Sequence, residues 1–197
     1  MNGFIDDLMK SVGGDLTKEV SNELNISKST VEQLIPQIAP LILGGLKRQK
    51  DEHGGAARVD HILNKYGSAN ILDDLRGAIS AKAKEDNPDP NLGGLLGAAG
   101  GDQAVNFLAD KFKLDSSIIM KLIPVLSPVI LGFLSKKRDQ EGLGSAGIAS
   151  LLDQDGDGSV IDDVAGFLLQ GLGDSSQKKS GGLLGNLLGG LLGGKRR

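Results

Sequence analysis

The chain has 197 residues, a formal net charge of −3 and no cysteine, which excludes disulfides, thiolate metal sites and cysteine nucleophiles. Hydrophobic residues make up 39% but aromatics only 3%, and a core of Leu, Ile, Val and Ala suits packed helices better than sheets. The slight acidity lacks the basic footprint of a nucleic-acid binder.

The N-terminus, Met1-Asn2-Gly3-Phe4-Ile5-Asp6-Asp7, is acidic and lacks the basic region and apolar run of a secretory signal. Leu16, Val20 and Leu24 then share one helical face. Asn25-Ile26-Ser27 turns the chain, and Ser27 is placed to cap the next helix. Residues 17–37 also have helix-turn-helix spacing, which would aim Lys28, Ser29, Glu32 and Gln33 at base edges. A DNA-associated regulator is therefore the alternative functional reading. Against it, the equivalent positions of a second copy described below, Ser116, Ser117, Met120 and Lys121, add no further basic face, and the second helix runs into Pro36, so no nucleic-acid partner is expected.

The next helix is strongly apolar and contains Pro36 and Pro40. A proline inside a helix removes a donor and crowds the carbonyl four residues back, which predicts a kink. Shorter helices are predicted over 56–65 and 71–83. His53 falls in a polar turn and His61 before an apolar pair, which predicts one solvated and one partly buried histidine. Neither has a nucleophile or metal-ligand companion, and no phosphate-cradling glycine loop is present, so a non-enzyme is expected.

The pattern then returns. Leu34-Ile35-Pro36, Pro40-Leu41-Ile42-Leu43-Gly44 and Leu46 reappear 88 residues later as Leu122-Ile123-Pro124, Pro128-Val129-Ile130-Leu131-Gly132 and Leu134. After a one-residue shift, Ile71-Leu72-Asp73-Asp74-Leu75-Arg76-Gly77 matches Val160-Ile161-Asp162-Asp163-Val164-Ala165-Gly166. Two blocks in the same order at nearly the same spacing indicate a duplication. In the second copy Asp115 takes the capping place of Ser27, and helices are expected at 145–152 and 161–171. The apolar stretch 122–134 is shorter than the roughly 18–20 residues that span a bilayer, so it reads as a core helix.

The expected fold is all-α: a first repeat over 1–86, a Pro/Gly-rich linker over 87–101, a second repeat over 102–173, and a Gly/Leu-rich tail over 174–197. The tail repeats Leu-Leu every four residues and ends in Lys195-Arg196-Arg197. In a helix this makes an apolar stripe suited to a partner's groove or a membrane surface. The plainer reading is a flexible tail, since each helical glycine is unfavourable by about 1 kcal/mol.

The strongest chemical signal is Asp153-Gln154-Asp155-Gly156-Asp157-Gly158-Ser159. Carboxylates at alternate positions followed by glycine match the start of an EF-hand loop, where calcium takes hard oxygen ligands and glycine turns the chain. Ser159 offers its backbone carbonyl, but Val164 stands where a bidentate glutamate belongs, leaving Asp162 or Asp163 to close the site. Asp73 and Asp74 hold the same places in the first copy, beside a loop with no acidic ligands, so the Asp-Asp pair also reads as helix capping. The bland alternative to a calcium site is a solvated acidic turn.

The proline helix, the Asp-Gly-Asp-Gly-Ser loop and the Gly-Gly-Leu-Leu-Gly tail together resemble the bacterial YidB-like proteins, across about residues 16–173 and the tail. That resemblance implies a helical, homeodomain-like fold of unknown function, a cytoplasmic location and a tendency to self-associate; it brings no catalytic residues. The expected function is a non-enzymatic interaction or self-assembly protein, homo-oligomeric or bound to a protein partner. Its candidate cofactor is calcium, held weakly by the second repeat.

Overall fold

The prolines at the centre of the apolar segments do not end their helices. The computed structural model describes residues 2–85 and 98–140, together with 142, 144, 147 and 148. Among the described residues every regular element is helical and none is a strand. In chain order they are α1 (Asn2–Leu24), α2 (Lys28–His53), α3 (Gly55–Tyr66), a 3-10 turn η1 (Ala69–Leu72), α4 (Leu75–Ala83), α5 (Ala98–Phe112) and α6 (Ser116–Gln140). Helix α5 begins inside the stretch read as linker. The helices expected at 145–152 and 161–171 lie outside the described residues, apart from 147 and 148, which are helical.

Helix α1 starts earlier than its clearest periodicity. Phe4, Ile5, Leu8, Leu16 and Val20 are all buried, a stripe four residues apart that faces the core. Phe4 meets Phe133 of α6 edge-on, with ring centroids 5.4 Å apart.

The corners joining α1 to α2 and α5 to α6 share one geometry. Asn25 and Lys113 both take left-handed backbone angles, φ 53 and φ 54. The following residue donates its N–H five residues back, Ile26 to the Ser21 carbonyl at 3.2 Å and Leu114 to the Ala109 carbonyl at 3.0 Å. Such a left-handed residue after the last turn satisfies carbonyls that a helix end leaves open. Each new helix then receives a side-chain cap. Ser27 Oγ accepts from the Thr30 N–H at 3.1 Å, and Asp115 Oδ1 from the Ser117 N–H at 2.7 Å.

Helix α6 is the hub of the core and touches α1, α2, α3, η1, α4 and α5. Leu122, Leu126, Val129, Ile130, Leu131 and Leu134 are at most 1% exposed, and burying each such side chain is worth roughly 1.5–3 kcal/mol. By length and composition α6 could cross a membrane, but 78% of its most apolar window is buried inside the protein, as in a core helix. The proline pairs stand four apart, so their missing N–H groups fall on one stripe of each helix. Buried Ser127, between Pro124 and Pro128, donates its hydroxyl to the Ile123 carbonyl at 2.6 Å.

Two sequence expectations need correction. The helix expected over 71–83 divides: Ile71 and Leu72 belong to η1, and α4 begins only at Leu75. The reason is Asp74, whose Oδ1 accepts the Gly77 N–H at 2.9 Å and so starts a new helix. His61 is exposed rather than partly buried, because α3 turns Val59, Ile62 and Leu63 to the core and leaves position 61 outside.

Candidate functional site

Where 67–72 meets α6 there is almost no space. A Cβ built on Gly67 would lie 2.7 Å from the Leu131 carbonyl, and one on Gly132 would lie 2.8 Å from the Ser68 carbonyl and 2.9 Å from Ile71 Cγ2. Two glycines therefore let a turn of the first half lie directly on a helix of the second.

Below this contact Arg138 reaches from the end of α6 to α3, donating to Asp60 Oδ1 at 3.2 Å and Asn64 Oδ1 at 3.0 Å. It also donates to its neighbour Asp139 at 2.8 Å. The Asp139 hydrogen bond, opposed by partial burial, raises the Arg138 pKa and holds the Asp139 carboxyl below its ordinary value. These groups line an open hollow of about 460 Å³ with Gly142 and Gly144. The planar guanidinium already bridges its acidic walls, so this hollow is a clamp between halves rather than a cation site.

A second hollow, about 360 Å³, lies between α1 and the end of α6 and is lined by Asp7, Lys10, Ser11, Phe133, Lys136, Lys137 and Gln140. Lys137 Nζ lies 2.6 Å from Asp7 Oδ2. That hydrogen bond, with the lysine charge, holds the Asp7 carboxyl below the usual range.

Lys47 sits in the segment read as a polar basic run, yet it is 1% exposed. Its ammonium meets Asp51 Oδ2 at 3.1 Å, one turn on, and Lys50 meets Asp51 Oδ1 at 3.3 Å. Partial burial pushes the Asp51 pKa up, but the two lysine hydrogen bonds outweigh it and the net shift is downward. The missed signal was position: Lys47 directly follows the apolar run 41–46, so its aliphatic stem continues the core face.

The helix-turn-helix candidates Lys28, Ser29, Glu32 and Gln33 are all exposed at the start of α2. Gln33 Nε2 is turned back on its own helix, donating to the Ser29 carbonyl at 3.1 Å. His53 is exposed, with Nε2 3.8 Å from Glu52.

The calcium-loop candidates Asp153, Asp155, Asp157, Ser159, Asp162 and Asp163 lie outside the described residues. The Asp-Asp pair of the first half is among the described residues: Asp73 ends η1 and Asp74 caps α4. Among the described residues no group of three or more His, Cys, Asp or Glu side chains is placed to hold a metal ion.

The family model described as "Bacterial protein of unknown function (DUF937)" matches residues 6–137. No curated protein and no solved structure matches the chain.

Proposed function

Because the chain belongs to the DUF937 family of bacterial proteins, whose function is unknown, we propose its role from its own residues: a non-enzymatic interaction or self-assembly protein. The observation that carries this reading is how Arg138 and Lys137, one in each open hollow, are used. Arg138 is engaged by Asp60, Asn64 and Asp139, and Lys137 by Asp7, so these charges tie helices together. What remains for a partner is surface contact, with the Leu-Leu pairs of the tail as the apolar element.

Two finer points belong to the same reading. The chain is a duplication of one small YidB-like, homeodomain-like helical unit, supported by the matching corners at Asn25 and Lys113 and by the caps at Ser27 and Asp115. The proline pairs bend α2 and α6, since each proline removes one helical hydrogen bond and the Ser127 back-bond acts in the same direction.

The acidic loop is the regulatory element of this reading, a weak calcium site formed by Asp153, Asp155, Asp157 and the Ser159 carbonyl. Asp162 or Asp163 closes it; Asp162 is the better candidate, because the first-half equivalent of Asp163 is spent on a helix cap. Cytoplasmic residence rests on the family resemblance alone. Sedimentation of the purified protein, with millimolar calcium and with chelator, tests the proposal. A monomer under both conditions would remove self-assembly from it.

A further inference from the structure

The hollow between α1 and the end of α6 carries more positive charge than its own contacts use. Lys10, Lys136 and Lys137 line it against the single carboxylate of Asp7, which leaves an excess of two positive charges on a protein whose net charge is −3. Asp7 is spent on Lys137, 2.6 Å away, and the Lys137 ammonium also lies 5.8 Å from the centre of the Phe133 ring. Lys10 acts on Asp7 only through its charge, and among the described residues neither Lys10 nor Lys136 is held in an ion pair.

The helix dipole accounts for part of this charge and not for the rest. Lys137 and Arg138 stand in the last turn of α6, where a cation suits the negative helix end. Lys136 precedes that turn and Lys10 lies in the interior of α1, so neither is explained by it. Like charges brought together from two helices repel, and an anion between them relieves the repulsion. Ser11 and Gln140 add a hydroxyl and a side-chain amide, both hydrogen-bond donors, to the same lining.

We propose that this hollow binds a phosphate group, with Lys10 and Lys136 as its charge partners and Ser11 and Gln140 as neutral donors. Phosphate suits it better than a carboxylate, because a charge of about −1.5 to −2 matches the excess and its oxygens accept from several donors at once. Lysines act on phosphate as point charges and need no fork geometry. The Phe4–Phe133 contact and the Lys137–Asp7 pair hold α1 against α6, so the donors are assembled before the ligand arrives. Lys10 and Ser11 are exposed and Lys136 is half-buried, so salt screens the site and binding is weak and reversible. The same group is presented by a soluble phosphate and by a lipid headgroup. The proposal is independent of the calcium site and of self-assembly.

Equilibrium dialysis of the full-length protein against radiolabelled inorganic phosphate, at constant ionic strength and with chelator, tests the soluble source. Sedimentation with phosphatidylcholine vesicles containing phosphatidic acid tests the headgroup. The expected result is saturable uptake of phosphate, or vesicle binding, that Lys28→Gln on α2 retains. It should weaken about tenfold or more when Lys10→Gln and Lys136→Gln are combined, with circular dichroism unchanged and each single variant in between. Uptake of free phosphate assigns the site to soluble ligands, and binding to vesicles alone assigns it to headgroups. Absence of both in the wild type would overturn the proposal, whether or not the double variant folds. Equal binding by the wild type and the double variant would also overturn it and place the anion elsewhere on the chain.

Discussion

Gly132 lies beneath the Ser68 carbonyl, with room for a hydrogen and none for a methyl group. Gly132→Ala should therefore destabilise the protein by about 1–3 kcal/mol, the usual penalty for overpacking. Gly14→Ala, in the exposed interior of α1 with nothing within 4 Å of the new carbon, should stabilise it by roughly 0.5–1 kcal/mol. Urea titration of the two variants reads opposite signs from one substitution type. Equal effects would mean that helix propensity alone governs both positions.

The protein should lose stability in acid. Asp7, Asp51, Asp115 and Asp139 all have pKa values below that of a free carboxylate, held there by Lys137, by Lys47 and Lys50 against burial, by the Ser117 hydroxyl and N–H, and by Arg138. A lowered folded-state pKa contributes stability that is complete above the unfolded value and fades as pH falls through the folded one. The urea midpoint should thus hold from neutrality to about pH 4 and decline below it. The decline should be shallower in Asp51→Asn, and an identical profile in that variant would remove Asp51 from the account.

Calorimetry on the full chain should show one calcium site, with a dissociation constant on the order of 10⁻⁴ to 10⁻³ M, as expected without a bidentate glutamate. Asp155→Ala should abolish the heat and Asp73→Ala should leave it unchanged. Asp74→Ala should also leave binding intact while lowering stability by about 0.5–2 kcal/mol, because Asp74 caps α4. Silence of the wild type at millimolar calcium would make 153–159 an acidic turn only.

Removal of residues 175–197 should leave the helical circular dichroism of the core unchanged and reduce self-association. The tail lies beyond both of the proposed repeats, and its Leu-Leu pairs are too apolar to be idle in water. Unchanged sedimentation after truncation would make the tail passive.

No sequence-specific DNA complex should form at physiological salt. Lys28 shares the exposed start of α2 with Glu32, and Gln33 is folded back onto Ser29. A tight complex that weakened with salt and on Lys28→Ala would restore the helix-turn-helix reading.

The elements most legible in the sequence are those with local causes. Ser27 and Asp115 sit where a capping residue before an apolar run must sit, and the 122–134 core helix follows from its run of buried positions. What stayed hidden depends on distant partners. The first turns of α1 are apolar only at Phe4, Ile5 and Leu8 among acids and glycines, and their burial comes from contacts such as Phe133, far along the chain. The break of 71–83 into η1 and α4 was half legible: Asp74 was recognisable as a cap, and a cap there requires the helix to start after it. Arg138 showed only as part of a basic run, because nothing local indicates that it reaches Asp60 and Asn64 on another helix. The acidic loop is legible as a ligand pattern, but it falls outside the described residues.

The tight approach of Gly67 and Gly132 also sets a schedule during synthesis. When Ile71 is added to the chain, the helix it rests on does not yet exist, and at about 5–20 residues per second Gly132 is added roughly 3–12 s later. Once Ala83 has been added, α1 to α4 are complete in sequence but lack the hub that all of them touch. The first half is thus a nascent chain waiting with its apolar faces open, and it acquires its interior only as α6 emerges.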